Sequence, residues 1–291
     1  MKRHRCAKPF LTGSDHSPDV KEHTLAQDRW PSAKRMRDSG LSMNAEEYAI
    51  MYRVELDHWW YQGMQQITRA LVSRWYPAGS SLRILDAGCG TGAAMTSYLA
   101  EYGQVTGFDM SEEAVRFSAL RGARHLIRAS VLQAPFADCS FDLVVSFDVL
   151  CTQSVPDDVA ALSEFVRVLV PGGRALVRLP AYDWLRGRHD KAVHIRHRYT
   201  KEEVEERLTQ AGFRVEHLSY ANTFLFPMAA LKRLAERFWP ARVVRSDLTL
   251  PTGYLNWMLA AILSAEAPLV ARSGLPFGLS VVAVGCKREE D

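Results

Sequence analysis

Cysteine is scarce and irregularly placed. Cys6, Cys89, Cys139, Cys151 and Cys286 form neither an even set nor the close-spaced pairs of a metal site. That excludes a cysteine-built zinc module and a small disulfide scaffold, and it leads us to expect a reducing cytoplasm. Charge of one sign is scarce too. The formal net charge is +3, and residues 1–43 hold nine Lys or Arg against five Asp or Glu, so the rest of the chain is near neutral. A large nucleic-acid groove is therefore not expected. Long apolar runs are scarce, so no transmembrane segment is expected, and the N-terminus lacks the continuous apolar core of a secretory signal.

What remains is ordinary globular material. At 47% hydrophobic and 24% charged residues, 291 positions suffice for one α/β core with additions. Residues 1–43, polar and basic without a hydrophobic period, are expected to be disordered. The distinctive stretch is Ile84-Leu-Asp-Ala-Gly-Cys-Gly-Thr-Gly92, an apolar strand running into Asp86 and three alternate glycines. Such a turn lets backbone approach a ligand closely and leads into a helix with free N–H groups. The order D-x-G-x-G-x-G departs from the G-x-G-x-x-G of dinucleotide sites, and the acid would repel a pyrophosphate, which disfavours an NAD-dependent oxidoreductase. A second apolar strand, Val105-Thr-Gly-Phe-Asp109, ends in an acid 23 positions after Asp86. An acid so placed suits the hydroxyls of a ribose.

Together these motifs resemble motif I and the following acid of the class I S-adenosylmethionine-dependent methyltransferases, of the ubiquinone and menaquinone "methyltransferase 11" type. The resemblance implies an α/β fold: a Rossmann-like seven-stranded sheet flanked by helices, with an N-terminal helical lid over residues 44–80 and the main domain over 81–291. It also implies S-adenosyl-L-methionine as cofactor and S-adenosyl-L-homocysteine as product. Asp86, Ala87, Gly88, Cys89, Gly90 and Gly92 would hold the methionine end and Asp109 the ribose. Met110, Ser130 and Val131 would line the adenine edge, with Phe147 near the methyl donor. Asp142–Phe147 reads as the fourth strand, and a helix, a proline and the double glycine Gly172-Gly173 as the lead-in to a fifth, Ala175–Leu179. Two departures stand out. Ser130 occupies a place where relatives carry Asp, and Asp148-Val-Leu is followed by Cys151 and Thr152 rather than Glu-His.

Ahead of the core, Tyr48, Tyr52, Leu56 and Trp59 recur at helical spacing, as do Met64, Ile67, Leu71 and Trp75. Between the two runs lies Trp59-Trp60-Tyr61, which either packs on the sheet or forms a lid whose rings, Trp60 among them, attract a sulfonium. After the fifth strand comes a polar stretch with His189, Asp190, His194, His197 and Tyr199. Its H-x4-H-x2-H spacing is weak as a metal pattern, and none is assigned. His189 oriented by Asp190, His194, or Tyr199 is a candidate general base. Arg186, Arg188, Arg196 and Arg198 would clamp an anionic acceptor or remain solvated. Thr200-Lys-Glu-Glu203 is a capping box that restarts helix.

A sixth strand near Phe213–Ser219 and a last one at Ser280–Cys286 are separated by an insertion of about residues 221–276, too long to lack structure. Leu231, Leu234, Ala235 and Phe238 mark one helix ending at Trp239-Pro240; Tyr254, Met258, Ala261, Ile262 and Ala265 mark another. These helices would form a substrate cover, a homodimer surface or a membrane-surface contact. The expected activity is methyl transfer to oxygen or nitrogen, less readily carbon, of a small or amphipathic, lipid-like metabolite. The alternative is a catalytically silent cofactor-binding partner.

Overall fold

A computed structural model of the chain describes residues 43–238 and 253–289, apart from the side chains of Arg188, His189 and residues 234–238. The basic leader lies outside the described residues but for Met43, as does the helix stop expected at Trp239-Pro240. Among the described residues, seven strands form one sheet: β1 (Leu82–Ala87), β2 (Gly103–Asp109), β3 (Leu126–Arg128), β4 (Phe141–Phe147), β5 (Leu169–Pro180), β6 (Phe213–Ala221) and β7 (Ser280–Lys287). Their order is β3-β2-β1-β4-β5-β7-β6. The first five are parallel, and β7 runs antiparallel between β5 and β6.

The central strands are apolar on both sides because helices cover both faces. The helices are α1 (Ala45–Val54), α2 (Trp59–Val72), α3 (Ala93–Thr96), α4 (Glu112–Leu120), α5 (Asp158–Val168), α6 (Arg188–Ala192), α7 (Lys201–Gln210), α8 (Phe226–Phe238), α9 (Gly253–Ser264) and α10 (Ala267–Arg272). On one face, Leu85, Val144 and Val177 pack with Phe165 of α5 and Leu208 of α7. On the other, Ile84, Val145 and Leu176 pack with Met64, Ile67 and Leu71 of α2 and Val270 of α10. Local signals set the helix starts. Ser111 caps α4 through Ala114 N–H, Asp157 caps α5 through Ala160 N–H, and Thr200 with Glu203 completes the expected capping box of α7.

The structure corrects several expectations. Helix α1 stops at Val54, so Leu56 falls outside it and is 51% exposed. Trp59-Trp60-Tyr61 is no linker but the first turn of α2, capped by the His58 ring, which accepts from Trp60 N–H. Gly63 lies inside this helix, where α9 comes so near that a Cβ there would sit 2.4 Å from Leu263 Cγ. Gly63→Ala should therefore lower stability by about 1–3 kcal/mol through overpacking, read as a fall in melting temperature; an unchanged melt would disprove this close seam.

Pro171, Gly172 and Gly173 lie within β5, where a register shift between Phe141 and Leu143 absorbs them. Helix α9 turns a different face inward from the one expected: Ala260 and Leu263 are buried, while Tyr254 is 75% exposed and Ala261 is also exposed. On α8, Leu231 is 69% exposed, and the other residues of its expected apolar face lie outside the described side chains.

Candidate active site

Strand alternation builds the site. Asp86, Phe147 and Arg178 continue the rows Ile84, Val145 and Leu176, so they lie on the α2 side of the sheet, toward the carboxyl ends of three adjacent strands. Phe147 and Arg178 are direct partners in register. After β1 the chain turns through Gly88 at φ +83°, where a Cβ would lie 2.3 Å from Val149 Cγ2, so only glycine fits. Gly88 and Cys89 donate N–H to Phe108 O at 2.8 and 3.0 Å. Gly90 donates to Asp109 Oδ2 at 3.0 Å and Ser111 to Asp109 Oδ1 at 2.9 Å. Asp109 thus pins the turn itself, and each of its oxygens keeps a further lone pair.

Helix α1 lies against this turn. A Cβ on Gly90 would meet Met51 Cε at 3.1 Å, and Glu55 accepts from the Thr91 hydroxyl. Arg121 ties the pieces together, donating to Tyr52 O at 2.9 Å and Thr91 O at 2.8 Å and pairing with Glu55 at 3.4 Å. Three carboxyls therefore converge with little solvent. Burial, and after it the charges of Glu55 and Asp109, push the Asp86 carboxyl up to about 8, with Arg178 opposing. Burial also raises Glu55 and Asp109. Asp86 is 2% exposed, and its Oδ2 has no hydrogen-bond partner. A buried, orphaned carboxylate oxygen beside two further acids fits a cationic ligand group and rejects a phosphate.

Sequence reasoning missed the cation of this cluster. Arg178 is 8% exposed, and its guanidinium lies 4.7 Å from the Trp60 ring centroid and 4.8 Å from that of Phe147. Nε donates to Asp148 Oδ2 at 2.8 Å, and Nη2 forms an ion pair with the same oxygen at 2.7 Å. Nη1 has no hydrogen-bond partner among the described residues. Asp148 takes φ +60°, a strained position that Asp tolerates better than most residues. The available signal was a lone arginine in the apolar run Ala175-Leu-Val-Arg-Leu179. The rings expected to meet a sulfonium thus flank the chain's own cation.

The remaining expected residues scatter. Ala87 is buried, with its carbonyl accepting from Ser146 Oγ. Cys89 is buried against Ser118, and burial holds its thiol well above the usual range, as befits packing. Gly92 caps α3 at φ +78°. Met110 O accepts from Arg128, and Ser130 Oγ from Leu132 N–H. Val131 is buried in the core, so its side chain presents no open edge.

The polar stretch after β5 is no open loop. It contains a short 3-10 turn and α6, and its charges pair within the stretch or with Asp158 of α5. Arg198 pairs with Asp190 at 2.8 Å, Arg186 with Asp183 at 2.9 Å, and Arg196 with Asp158 at 3.3 Å. Asp190 also accepts Gly187 N–H, so both of its oxygens are engaged within the stretch. Tyr199 is 1% exposed and donates to Asp158 at 2.7 Å, which corrects its assignment as a base: it is a core residue. His194 holds φ +54° and binds Gln153 N–H through its carbonyl; its ring is half-buried. The His189 side chain lies outside the description. Neither Asp190 nor His194 bonds to Asp86, Asp148 or Arg178.

Residues 85–177 match the family model described as a methyltransferase domain. Cycloartenol-C-24-methyltransferase 1 of Oryza sativa subsp. japonica is 29% identical over 133 residues, 43% of this chain and 37% of that protein. Demethylmenaquinone methyltransferase of Staphylococcus aureus (strain MRSA252) is 36% identical over 100 residues, 32% of this chain and 40% of that protein. The chain thus spans about two fifths of these relatives' length. Among solved structures, the 1,6-didemethyltoxoflavin-N1-methyltransferase of Burkholderia thailandensis, with S-adenosylhomocysteine bound, aligns with a TM-score of 0.50 at 18% identity, over 84% of this chain and 87% of that one. That likeness speaks for the fold. The strand order, the acid-flanked glycine turn and the matched residues agree: residues 85–177 match a methyltransferase domain, and the turn and its acids are similar to those of class I, S-adenosylmethionine-dependent methyltransferases.

Proposed function

We propose that the protein transfers a methyl group to an oxygen or nitrogen, less readily a carbon, of a small or amphipathic acceptor that carries an acidic group. The observation that carries this reading is the orphaned Asp86 Oδ2, buried among carboxyls at the end of β1. When bound, S-adenosylmethionine supplies an electrophilic methyl on a positively charged sulfur. Asp86 holds the cofactor's ammonium, the backbone from Ala87 to Gly92 cradles its methionine end, and Asp109 takes the ribose through its remaining lone pairs. Met110 and Ser130 border the adenine.

Helices α1 and α2 act as the cover. Their placement over the turn keeps water from a reaction in which charge is lost, and alignment in a dry cavity is the main demand of in-line displacement. Arg178 Nη1 receives the acceptor's carboxylate or phenolate, while Asp148 holds the guanidinium in position between Trp60 and Phe147. His194, and His189 five positions before it, serve as base for an acceptor that arrives protonated. Asp190 and Tyr199 belong to the scaffold of that stretch.

The test is calorimetric titration of ligand-stripped protein with S-adenosylmethionine, S-adenosylhomocysteine and NAD, followed by an acceptor screen of amphipathic acids and phenols against their neutral amides and ethers. We expect binding of the first two ligands alone and turnover of acids in preference to neutral analogues. Binding of none would overturn the reading. Cofactor binding with no turnover across the screen would favour the silent partner.

A further inference from the structure

Large hydrophobic side chains reach the surface in one region above all. Among the described residues, eight of the eleven exposed ones fall between residues 224 and 277: Phe224, Met228, Leu231, Tyr254, Leu255, Trp257, Leu269 and Phe277. Helices α9 and α10 form a run, Gly253–Arg272, that by length and composition could cross a bilayer, with mean hydropathy 1.3 and only 33% burial. This qualifies the expectation that no such run exists. The run is anchored, however. Leu263, Ala267 and Val270 pack with Met64, Ile67 and Leu71 of α2, and the Asn256 side chain joins α2 to α9 by accepting Trp59 N–H at 2.8 Å. Glu266 is fully buried and accepts the N–H groups of Thr223 and Phe224. A helix that packs one stripe on its own domain and keeps an apolar opposite face lies along an interface rather than across a membrane.

Charge indicates what covers that face. By sequence, residues 221–276 carry six Lys or Arg against three Asp or Glu; among the described side chains of this segment the cations are Lys232, Arg233 and Arg272 and the one acid is the buried Glu266. With the leader's excess of four, these two segments hold more than the whole net charge of +3, leaving the remainder at about −4 by difference. Two copies meeting through this face would bring like charge together, whereas anionic headgroups complement it. Tyr254 and Trp257, 75% and 64% exposed with their rings 6.1 Å apart, have the amphipathic character favoured at a headgroup boundary.

We propose that α8, α9 and α10 dock the protein on the surface of a bilayer containing anionic lipid, with Leu231, Trp257 and Leu269 dipping into the boundary. The proposal goes beyond the methyl-transfer reading and stands on a different surface.

The test is flotation of the full chain with vesicles of phosphatidylcholine alone and of phosphatidylcholine containing about 30% phosphatidylglycerol. Binding should favour the anionic vesicles by at least roughly tenfold and weaken with salt. Trp257→Ser and Leu231→Gln should each reduce it by roughly tenfold, leaving the melting temperature and S-adenosylhomocysteine affinity unchanged. No binding to either vesicle would overturn docking, as would a stable dimer in light scattering that buries Trp257. Salt-sensitive binding indifferent to both substitutions would also overturn it, since it would then belong to the basic leader. Loss of cofactor binding in the wild-type chain would count against the methyl-transfer reading alone.

Discussion

Asp86→Asn should weaken S-adenosylhomocysteine binding by roughly a hundredfold and abolish its pH dependence, because the cofactor's ammonium would lose a buried anionic partner. In the free protein, burial and the charges of Glu55 and Asp109 hold the Asp86 carboxyl up at about 8. Below that value the carboxyl is protonated and must release a proton to receive a cation. Affinity should then rise about tenfold per pH unit from roughly pH 6 toward pH 8 and level off above it. Stability of the free protein moves the other way. The folded pKa lies above the unfolded one, so between about pH 4 and 8 the folded state holds a proton that the unfolded state has released. Asp86 therefore penalises folding more as pH rises through that window, and the penalty is full above it. The Asn variant should melt higher than wild type near pH 8 while binding worse. Calorimetry in two buffers of different ionisation enthalpy, with melts near pH 6 and pH 8, reads both effects. Wild-type affinity in the variant would remove Asp86 from the cofactor site.

Arg178→Leu should give the second large effect, on stability and on acceptor choice together. Removing one partner of a buried pair leaves the other charge uncompensated, at a cost of about 3–5 kcal/mol when both are fully buried. The Asp148 side chain keeps 30% exposure, so water recovers part of that and we expect about 2–3 kcal/mol. In a domain of this size that is a fall of roughly 5–10 °C in melting temperature. Combining it with Asp148→Asn should destabilise less than the two single changes summed, by about 1–3 kcal/mol, since the orphaned charge is then gone. Arg178→Lys keeps the charge but loses the planar fork, so it should fold better than the Leu variant and still raise KM for acidic acceptors. Equal preference for acidic and neutral acceptors in the wild-type enzyme would remove Arg178 from the acceptor site and leave it a structural pair.

The cofactor half of this site was legible because its determinants are local. An acid and alternate glycines at a strand end, with a second acid at the next strand end, state a turn geometry and a charge within two short stretches. The stretch after β5 misled for the same reason. Histidines, arginines and Asp190 close together suggest chemistry, but the partners that consume them, Asp158, Asp183 and Glu203, come from elsewhere on the chain or sit ambiguously within it. Tyr199 illustrates the point. Nothing adjacent to it in sequence reveals that its hydroxyl is taken by Asp158, 41 positions away.

The sequence by itself determined the parallel α/β core, the glycine turn and the acid at each of its first two strand ends, because hydrophobic period, backbone freedom and charge type act over a few residues. Only the tertiary structure decided how charges pair and which helix faces are used. It placed Arg178 beneath Trp60, brought Glu55 to Thr91, fitted Gly63 against Leu263 and turned Trp257 outward. These follow from which elements meet in space, and side chains far apart along the chain carry no local mark of the neighbours they will find.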